Sequence, residues 1–406
     1  MIKTNKFRIL FVHHTAAIAG ATNSLLFTIQ KLPKDEFDVK VLFLEKTGPA
    51  IELYKSKGIE IDSIDRVVNY QHANNAIIKW ISRTPWKPIT QFIKMLLSIN
   101  FIMNYLKKNK DSFDIVHINT SVMLAVGIAC KIQKIKLVWH IREPITQGLL
   151  GIRRYVVRKI IKYCADQIIA ISYQDKKSLG RCSKCTIIYN YVDFLKFDKN
   201  NVKYNLHKEI NLEPNVKIVL MLGGTVHSKG ADILIKSIPN VINNYPDVHF
   251  VVVGYPPTNK VTSKYKINKS VAQKCLVIIN DNDLGKKVTF LGLRNDIPQL
   301  LSSSYLLIWP ATVPHFSRPI IEAQAMGIPA IGTDFDVTRE VIEEGETGLT
   351  FVNRNAELLA KKINLLFSDS QLYDKISQQG YNQAYSRFSA DNNVNQIIDI
   401  YKLFLN

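Results

Sequence analysis

Short apolar runs that alternate with segments of helical periodicity occur in two successive sets along the chain, and they restrict the folds open to it. In the first set, runs at 7–12, 37–44 and 115–118 are each followed by a segment in which apolar residues recur at helical spacing. A second set starts at 217–222, ahead of a loop and a helical pattern over 231–243. Strands that alternate with helices form parallel sheets. We therefore predict an α/β protein with two doubly wound, Rossmann-like domains that face each other across a cleft.

These two sets also set the predicted domain boundaries. The chain has 406 residues, of which 47% are hydrophobic, enough for two ordinary cores. Asn, Lys and Asp accumulate between the sets, which predicts a linker over 191–215 that joins domains at 1–190 and 216–389. Apolar residues recur at helical spacing near the C-terminus, and we expect a helix at about 390–406 to pack back on the first domain.

The positive charge of the chain is unevenly distributed. The formal net charge is +19, of which residues 1–190 carry +17 and residues 191–406 carry +2. A basic surface of this size predicts an anionic partner such as a nucleotide, a nucleic acid or a membrane surface. Nucleic acid is the least favoured of these, because no recognition motif accompanies the charge.

The cysteines and the N-terminus predict a cytoplasmic protein with reduced thiols. Five cysteines are an odd number in a long chain, which is typical of buried thiols rather than of a disulfide framework. Cys182 and Cys185 form a lone C-x-x-C pair without the further ligands that a zinc site needs. The first residues lack the pattern of a signal peptide, and no run of about 18 uncharged apolar residues occurs.

A glycine-containing loop at 223–230, Gly-Gly-Thr-Val-His-Ser-Lys-Gly, follows a predicted strand and opens a predicted helix. Free backbone N–H groups and the helix dipole favour a phosphate at such a place, and Lys229 adds a positive charge. The loop lacks the Gly-Lys-Ser/Thr ending of a Walker loop, and no G-x-G-x-x-G follows the first strand, which argues against an ATPase or a Rossmann dehydrogenase. The alternative interpretation is an ordinary glycine turn with an exposed lysine.

A second segment, 309–329, ends a predicted strand, continues as a proline-marked loop and enters a helix at Pro319. Glu322 lies about one turn inside this helix. A carboxylate there can accept two hydrogen bonds from a vicinal diol such as a ribose. The alternative interpretation is that Glu322 only complements the helix dipole.

Together these two segments resemble the retaining glycosyltransferases of family 4, which have the GT-B fold. The features that carry the resemblance are a strand followed by Gly-x-x-x-x-Lys-Gly and a proline-containing loop that leads into Glu-Ala-x-Ala-x-Gly-x-Pro. The resemblance covers the whole chain. Shorter matches follow the family's order at Gly20-Ala21, Trp139-His140, Ala165-Asp166, Ile171-Ser172, residues 189–193, residues 290–292, residues 296–298, Arg339-Glu340 and Thr347-Gly348.

This resemblance implies a retaining transferase that moves a sugar from a UDP- or GDP-linked donor to a saccharide. It implies a role in capsule, O-antigen or exopolysaccharide synthesis, with no metal and no other cofactor, and the basic first domain predicts that the acceptor is lipid-linked. The residues with implied catalytic roles are His140, Lys229 and Glu322. The residues expected to bind the donor are Gly20, Gly223, Gly224, Lys229, Gly254, Leu291, Arg294, His315, Phe316, Ser317, Arg318 and Glu322. On the acceptor side we expect Asn119 and Arg142.

The chain departs from the family pattern at two positions. The arginine that the family carries in its phosphate loop falls on Gly224, and the first glutamate of its Glu-x7-Glu pair falls on Pro314. We therefore expect a rearranged donor pocket, in which Arg142 or Arg318 supplies the lost positive charge and backbone N–H groups of residues 315–317 contact the sugar. An Asp-x-Asp sequence at 334–336 has no obvious third ligand for a cation.

Two basic segments of the first domain predict peripheral binding at the inner face of the cytoplasmic membrane. One is a cationic helix with Arg153, Arg154, Arg158, Lys159 and Lys162. The other is an apolar helix at 92–106, which is flanked by Lys79, Trp80, Arg83, Trp86 and Lys87. The alternative interpretation is that the first is a solvated helix face and the second packs internally.

Two further functions stay open at this point. The missing glutamate at Pro314 allows a non-catalytic partner that binds a nucleotide sugar for another transferase. The net charge allows a basic scaffold that binds lipid or nucleic acid and shows no preference among nucleotides.

Overall fold

The computed structural model describes residues 6–18, 20–70, 87–148, 151–257 and 269–405, and the chain in it forms two compact units. The first unit comprises Met1–Asn190 and Asn393–Asn406, and the second comprises Tyr191–Asn392. The residues expected as a linker, 191–215, therefore belong to the second unit. Buried Phe197 and Leu206 explain why this polar segment is nevertheless part of a compact body.

The first unit is built on a seven-stranded sheet with parallel pairings. Its strands are β1 (Phe7–His13), β2 (Phe37–Phe43), β3 (Glu60–Ser63), β4 (Ile115–Ile118), β5 (Leu137–Ile141), β6 (Gln167–Ala170) and β7 (Cys185–Ile187). They lie in the order β3-β2-β1-β4-β5-β6-β7. All residues of β4 and β5 are buried, as expected for central strands that are covered on both faces.

Six helices of the described residues connect these strands. They are α1 (Gly20–Lys31), α2 (Pro49–Ser56), α3 (Lys87–Lys108), α4 (Leu124–Ile132), α5 (Ile152–Cys164) and α6 (Tyr173–Leu179). Helix α3 packs on α4, and α4 packs on α5. The long helix α3 buries Met95, Ser98, Ile102 and Leu106, which lie three or four residues apart and so form one face.

The second unit contains a six-stranded sheet, again with parallel pairings. Its strands are β8 (Lys217–Leu222), β9 (Val248–Val253), β10 (Val288–Gly292), β11 (Leu306–Trp309), β12 (Ala330–Thr333) and β13 (Leu349–Phe351), in the order β10-β9-β8-β11-β12-β13. Its helices are α7 (Leu206–Glu209), α8 (Ala231–Ile242), α9 (Lys269–Asp281), α10 (Ile297–Ser302), α11 (Arg318–Ala325), α12 (Asp336–Arg339), α13 (Ala356–Ser368) and α14 (Ser370–Phe388). The prediction of two parallel-sheet α/β domains is confirmed.

The last helix, α15 (Ala390–Lys402), begins in the second unit, and its residues from Asn393 onward belong to the first. Asn393 Nδ2 donates a hydrogen bond to the carbonyl of Tyr189 at 3.1 Å. Tyr401 is buried, and its hydroxyl lies 2.6 Å from His117 Nδ1 in β4. The apolar stripe of this helix thus covers part of the first unit's core.

In each sheet the strand order reverses at one place, between β1 and β4 in the first unit and between β8 and β11 in the second. Ligands of open parallel sheets bind outside the carboxyl ends of the strands at such a switch point. The segments that follow β1, β4, β8 and β11 carry many of the residues singled out from the sequence. The topology therefore gives each unit one favoured place for a ligand.

Candidate active site

The glycine loop of the second unit follows β8 and is held against the loop after β9. Gly224 N donates to the carbonyl of Val253 at 2.9 Å, and Thr225 N donates to the carbonyl of Tyr255 at 2.8 Å. Gly224 has a φ of +59°, and a Cβ atom built on it would lie 2.3 Å from Tyr255 N. Any side chain at this position would collide with backbone. The structure thus gives a steric reason for the absence of the family's arginine.

Lys229 is the penultimate residue of this loop and lies two residues before helix α8. Its Nζ atom lies 2.8 Å from His315 Nε2 and 4.4 Å from the centroid of the Trp309 ring. His315 Nδ1 lies 2.8 Å from the carbonyl oxygen of Val313, so Nδ1 carries the proton and Nε2 accepts from the lysine. Desolvation lowers the pKa of Lys229 to about 8. Desolvation, reinforced by Lys229, lowers the pKa of His315 to about 4.

Helix α11 begins next to this lysine–histidine pair. Pro319 occupies its first turn, where the missing N–H costs nothing. Glu322 is buried and accepts a hydrogen bond from Arg318 Nε at 2.8 Å. Burial raises the pKa of Glu322, whereas the neighbouring Arg318 guanidinium opposes that rise and favours the carboxylate. Arg318, one of the two arginines expected to replace the lost charge, therefore forms an ion pair with Glu322.

The remaining predicted donor residues of the second unit lie in two groups. Gly254 N donates to the carbonyl of Gly292 at 2.7 Å, which brings the segment with Leu291 beside the glycine loop. Phe316 and Ser317 are buried in the loop before α11.

Arg294, which follows β10, is engaged by carboxylates. Its guanidinium lies 2.5 Å from Asp296 Oδ2 and 2.5 Å from Glu209 Oε1, and it holds the pKa of both carboxyls below their usual range. The Arg294 side chain thus joins α7 to the start of α10. In the structure, Arg294 therefore has two carboxylate partners and a structural role that the sequence did not predict.

In the first unit, a chain of hydrogen bonds links the ends of β1, β4 and β5. Thr22 Oγ1 donates to the carbonyl of Ala17, and His13 Nε2 lies 3.0 Å from the same hydroxyl, so Nε2 donates to it. The other ring nitrogen, Nδ1, then accepts from Asn119 Nδ2 at 3.1 Å. Asn119 Oδ1 in turn accepts from Arg142 Nε at 2.8 Å. The amide and imidazole orientations of this network are therefore fixed by its donors.

Arg142 also contacts His140 and Asn190. Its Nη1 donates to Asn190 Oδ1 at 2.9 Å, and its Nη2 lies 3.4 Å from His140 Nδ1. Because an arginine can only donate, His140 Nδ1 is an acceptor and Nε2 carries the proton. His140 is buried, and its Nε2 has no hydrogen-bond partner among the described residues. Burial, with Arg142 second, holds the pKa of His140 well below its ordinary value, so the ring is neutral.

The sequence did not predict a role for His117 or Tyr401 at this site. The His117 ring lies between Phe11 and His140, with centroids 4.9 Å and 5.5 Å away, and Tyr401 bonds its Nδ1. Burial lowers the pKa of His117 to about 3, and Arg142 adds to that effect. A histidine inside an apolar strand was the available signal in the sequence. Gly20, by contrast, is exposed at the start of α1.

The aspartates of the Asp-x-Asp sequence at 334–336 form ion pairs with an arginine. Arg339 Nε and Nη2 donate to the two carboxylate oxygens of Asp334 at 2.7 Å each, and Asp336 lies 3.6 Å from the same guanidinium. Within the described part of the chain, no three His, Cys, Asp or Glu side chains are grouped as metal ligands would be.

Two parallel-sheet α/β domains are the components of the GT-B fold, and solved structures share this fold. HepE from Anabaena, solved with UDP and glucose, aligns over 98% of this chain and 99% of its own, with a TM-score of 0.77 and 21% identity. A glycosyltransferase from Rickettsia africae aligns over 99% of both chains, with a TM-score of 0.75 and 21% identity.

Family models match both halves of the sequence. The model described as Glycosyltransferase Family 4 matches residues 18–194, and that described as Glycosyl transferases group 1 matches residues 202–383. The chain belongs to glycosyltransferase family 4 and is a glycosyltransferase, as the sequence predicted.

Curated relatives share this assignment at low identity. The capsular polysaccharide biosynthesis glycosyltransferase CapM of Staphylococcus aureus is 24% identical over 67% of this chain and 70% of its own length. The UDP-Gal:alpha-D-GlcNAc-diphosphoundecaprenol alpha-1,3-galactosyltransferase of Escherichia coli is 22% identical over 98% of this chain and 97% of its own.

Proposed function

We propose that the protein is a retaining glycosyltransferase that transfers a sugar from a UDP-linked donor to a lipid-linked saccharide during surface polysaccharide synthesis, without a metal ion. The observation that carries this proposal is the position of Lys229, a partly buried lysine beside the start of α8 at the switch point of the second sheet. The names of the Escherichia coli and Staphylococcus aureus relatives favour a diphosphate-linked acceptor and a polysaccharide product. The UDP in HepE favours UDP over GDP.

The second unit supplies the charge that a departing nucleoside diphosphate needs. Negative charge grows on the leaving phosphate as the glycosidic bond breaks, and fixed N–H dipoles and a lysine ammonium stabilise that charge most in a desolvated site. Lys229 and the first N–H groups of α8 have this arrangement, and they do the work that a divalent cation does in other transferases. Glu322 Oε1 accepts from Arg318, and we propose that the carboxylate also accepts from the ribose diol.

The first unit supplies a neutral hydrogen-bond donor. His140 Nε2 carries a proton and has no partner among the described residues, so it can donate to a hydroxyl of the transferred sugar. Arg142 is a positioning residue that fixes this tautomer through Nδ1. Retention follows if the acceptor hydroxyl attacks from the face of the leaving group and its proton passes to a phosphate oxygen. The described residues then need to provide no nucleophile.

The membrane part of the proposal rests on α3, which has an exposed apolar face opposite its buried one. Ile89, Ile93, Leu97 and Phe101 lie four residues apart, and Leu97 is 67% exposed. The segment Ile89–Lys108 is long and apolar enough to cross a membrane by length and composition alone. Since its other face is packed against α4, we propose that it lies in the membrane surface. The flanking residues 79–86 lie outside the described residues.

The basic side chains of helix α5 bind neighbouring loops, a contact that the sequence did not predict. Arg154, Arg158 and Lys162 donate to the backbone carbonyls of Ile145, Ser178 and Arg181. These bonds hold the loops around α5 and leave the positive charges without neutralisation, because carbonyls are uncharged. Tyr155 and Tyr163 of the same helix are exposed, and side chains of this kind favour the headgroup region.

A transfer assay tests the catalytic part of the proposal. The protein is incubated with labelled UDP-sugars and a lipid-linked saccharide extract without added metal, and the label in the lipid phase is counted. We expect one UDP-sugar to label the lipid, the new linkage to retain the donor's anomeric configuration by NMR, and Lys229→Ala to abolish labelling. Lys236→Ala is the matched control, because Lys236 is an exposed lysine of α8. Inverted configuration, or full activity of Lys229→Ala, would contradict the proposal.

Vesicle sedimentation tests the membrane part. We expect binding to anionic phosphatidylglycerol vesicles at low salt, weak binding to neutral vesicles, and loss of binding in a Leu97→Glu/Phe101→Glu double variant. Val277→Glu, at an exposed apolar position of the second unit, is the control. Equal sedimentation with both kinds of vesicle, or retention of binding by the double variant, would contradict membrane docking through α3.

A further inference from the structure

Lys229, which contacts His315, supplies one positive charge to the proposed donor site. The family's phosphate-loop arginine would supply a second, and this chain needs another residue for it. The backbone around Tyr255 excludes any side chain at Gly224, so the family's arginine has no room in this chain. Arg318 is paired with Glu322, and Arg142 belongs to the first unit. The side chain of this unit that touches Lys229 and can itself become a cation is His315.

The local geometry fixes what His315 can do. Its Nδ1–H donates to the carbonyl of Val313, so Nε2 is the nitrogen left for any other contact, and Nε2 now accepts from the Lys229 ammonium. A diphosphate offers Lys229 several charged acceptors in place of one neutral lone pair. Once the lysine turns to the phosphate, Nε2 loses its donor. Because Nδ1 stays bonded to the carbonyl, Nε2 can donate to a phosphate oxygen only if the ring gains a proton.

The charged surroundings of His315 favour this change when an anion binds. Lys229 faces the ring from the loop after β8, and Trp309 of β11 packs beside it with ring centroids 5.4 Å apart. Arg318 and Glu322 follow on α11, where they pair with each other. Without an anion, desolvation and, second to it, Lys229 lower the pKa of His315 to about 4, so the ring is neutral. A bound diphosphate adds negative charge beside the ring and so favours the imidazolium.

We propose that His315 is the second cation of the diphosphate site and that binding of the donor diphosphate is coupled to uptake of one proton by His315 Nε2. This inference rests on the proposed function, since it requires the diphosphate to bind at Lys229. It assigns to a histidine the role that Gly224 cannot fill. It also predicts that UDP binds more tightly as the pH falls, between the low pKa of the free ring and its raised pKa in the complex.

The test is calorimetric titration of UDP into the wild type and His315→Gln in buffers of different ionisation enthalpy, at pH 6.5 to 7.5. The two proteins are compared at pH 6.5, which lies well below the pKa of about 8 of Lys229, so that this group is almost fully protonated. Proton exchange by UDP itself is common to both proteins, and the difference between them measures His315. We expect the wild type to take up about one proton more than His315→Gln and to bind UDP roughly tenfold more tightly at pH 6.5.

The control is His207→Gln, which alters a half-buried histidine of the same unit that contacts the carbonyl of Val216, and we expect it to behave as the wild type. A readout that needs no variant is the nitrogen-15 spectrum of histidine-labelled wild type, in which saturating UDP at pH 7 should convert one imidazole to imidazolium. Equal proton uptake by the wild type and His315→Gln, or an unchanged spectrum, overturns the role of His315 while the donor site stands. If the wild type binds no nucleoside diphosphate, the proposed function itself is wrong.

Discussion

The two units place polar clusters at equivalent switch points, but the positive charges of the two clusters have different surroundings. In the first unit, Arg142 donates to the amide groups of Asn119 and Asn190, and burial, with the charge of Arg142 added, lowers the pKa of His13, His117 and His140. In the second unit, Lys229 and Arg318 stand at helix N-termini, where an anion is favoured.

Under the proposed function, the net charge of the two halves does not locate the anion site. Residues 1–190 carry +17 of the +19, yet the candidate diphosphate site lies in the half that carries +2. The basic residues of α5 donate to loop carbonyls. One desolvated lysine at a helix start marks the candidate site better than a surface rich in lysine, because its interaction with an anion is little screened.

Of the variants that test this comparison, we expect a substitution of Glu322 to have the largest effect on activity. Glu322→Gln removes the charge that pairs with Arg318 and weakens the acceptor for the ribose diol, so we expect kcat/KM for transfer to fall by roughly a hundredfold. Steady-state kinetics with the donor measure this loss. Glu346→Gln, which breaks an exposed pair with Lys375, should change kcat/KM less than twofold. A similar loss in both variants would deny Glu322 a role at the donor.

Gly224→Arg tests whether the second unit could have kept the family's arginine. Because a Cβ there meets backbone and φ is positive, we expect a loss of about 3 kcal/mol in stability, and a midpoint lowered by roughly 6 °C or more in calorimetry, with no gain in UDP affinity. Gly285→Ala is the control, because a Cβ on Gly285 meets no atom within 4 Å. A stable Gly224→Arg variant with tighter UDP binding would refute the steric explanation.

Arg142 provides a pH test of the first unit. Burial is the main cause of the low pKa of His13, His117 and His140, and Arg142 lowers it further, so Arg142→Met should raise the pKa of all three rings. Neutral His140 is the donor form, and its protonation would then begin at higher pH. We therefore expect the acid limb of kcat/KM to move to higher pH, with a maximal rate lowered roughly tenfold. Arg142→Lys keeps the charge and should leave that limb in place. An unmoved limb in Arg142→Met would show that burial alone keeps His140 neutral.

The smallest effect compares the same deletion in both units. Tyr401→Phe removes the hydroxyl that contacts His117, and Tyr373→Phe removes one that donates to the carbonyl of Tyr305. Each should lower the free energy of unfolding by about 1 kcal/mol in denaturant titrations. Only Tyr401→Phe should also lower kcat, by less than about threefold, since His117 packs against His140. If kcat falls equally in both variants, α15 has no particular link to His140.

Much of the fold could be predicted from the sequence because most strands are buried apolar runs. The predicted bounds 115–118 and 217–222 coincide with β4 and β8. The edge strands β3 and β13 were missed, since Glu60–Ser63 is polar and Leu349–Phe351 has only three residues. Strands this polar or this short carry no clear periodicity.

The candidate site was less predictable, because its contacts join distant parts of the chain. Lys229 meets His315 from 86 positions away, and Tyr401 meets His117 from 284 positions away. A single sequence identifies glycine loops and helix starts by local pattern, but it holds no signal for such pairings. The pairing of Arg318 with Glu322 is the exception, since an i,i+4 spacing on a helix predicts it.

The most direct test of the central claim, that the second unit holds the donor diphosphate through Lys229, is calorimetric titration of UDP without metal. The titrated proteins are the wild type, Lys229→Ala, Lys236→Ala and His140→Ala. We expect Lys229→Ala to bind UDP at least roughly tenfold more weakly than the wild type, and the other two variants to bind it as the wild type does. Equal UDP affinity in Lys229→Ala and the wild type, or a loss confined to His140→Ala, would contradict the account.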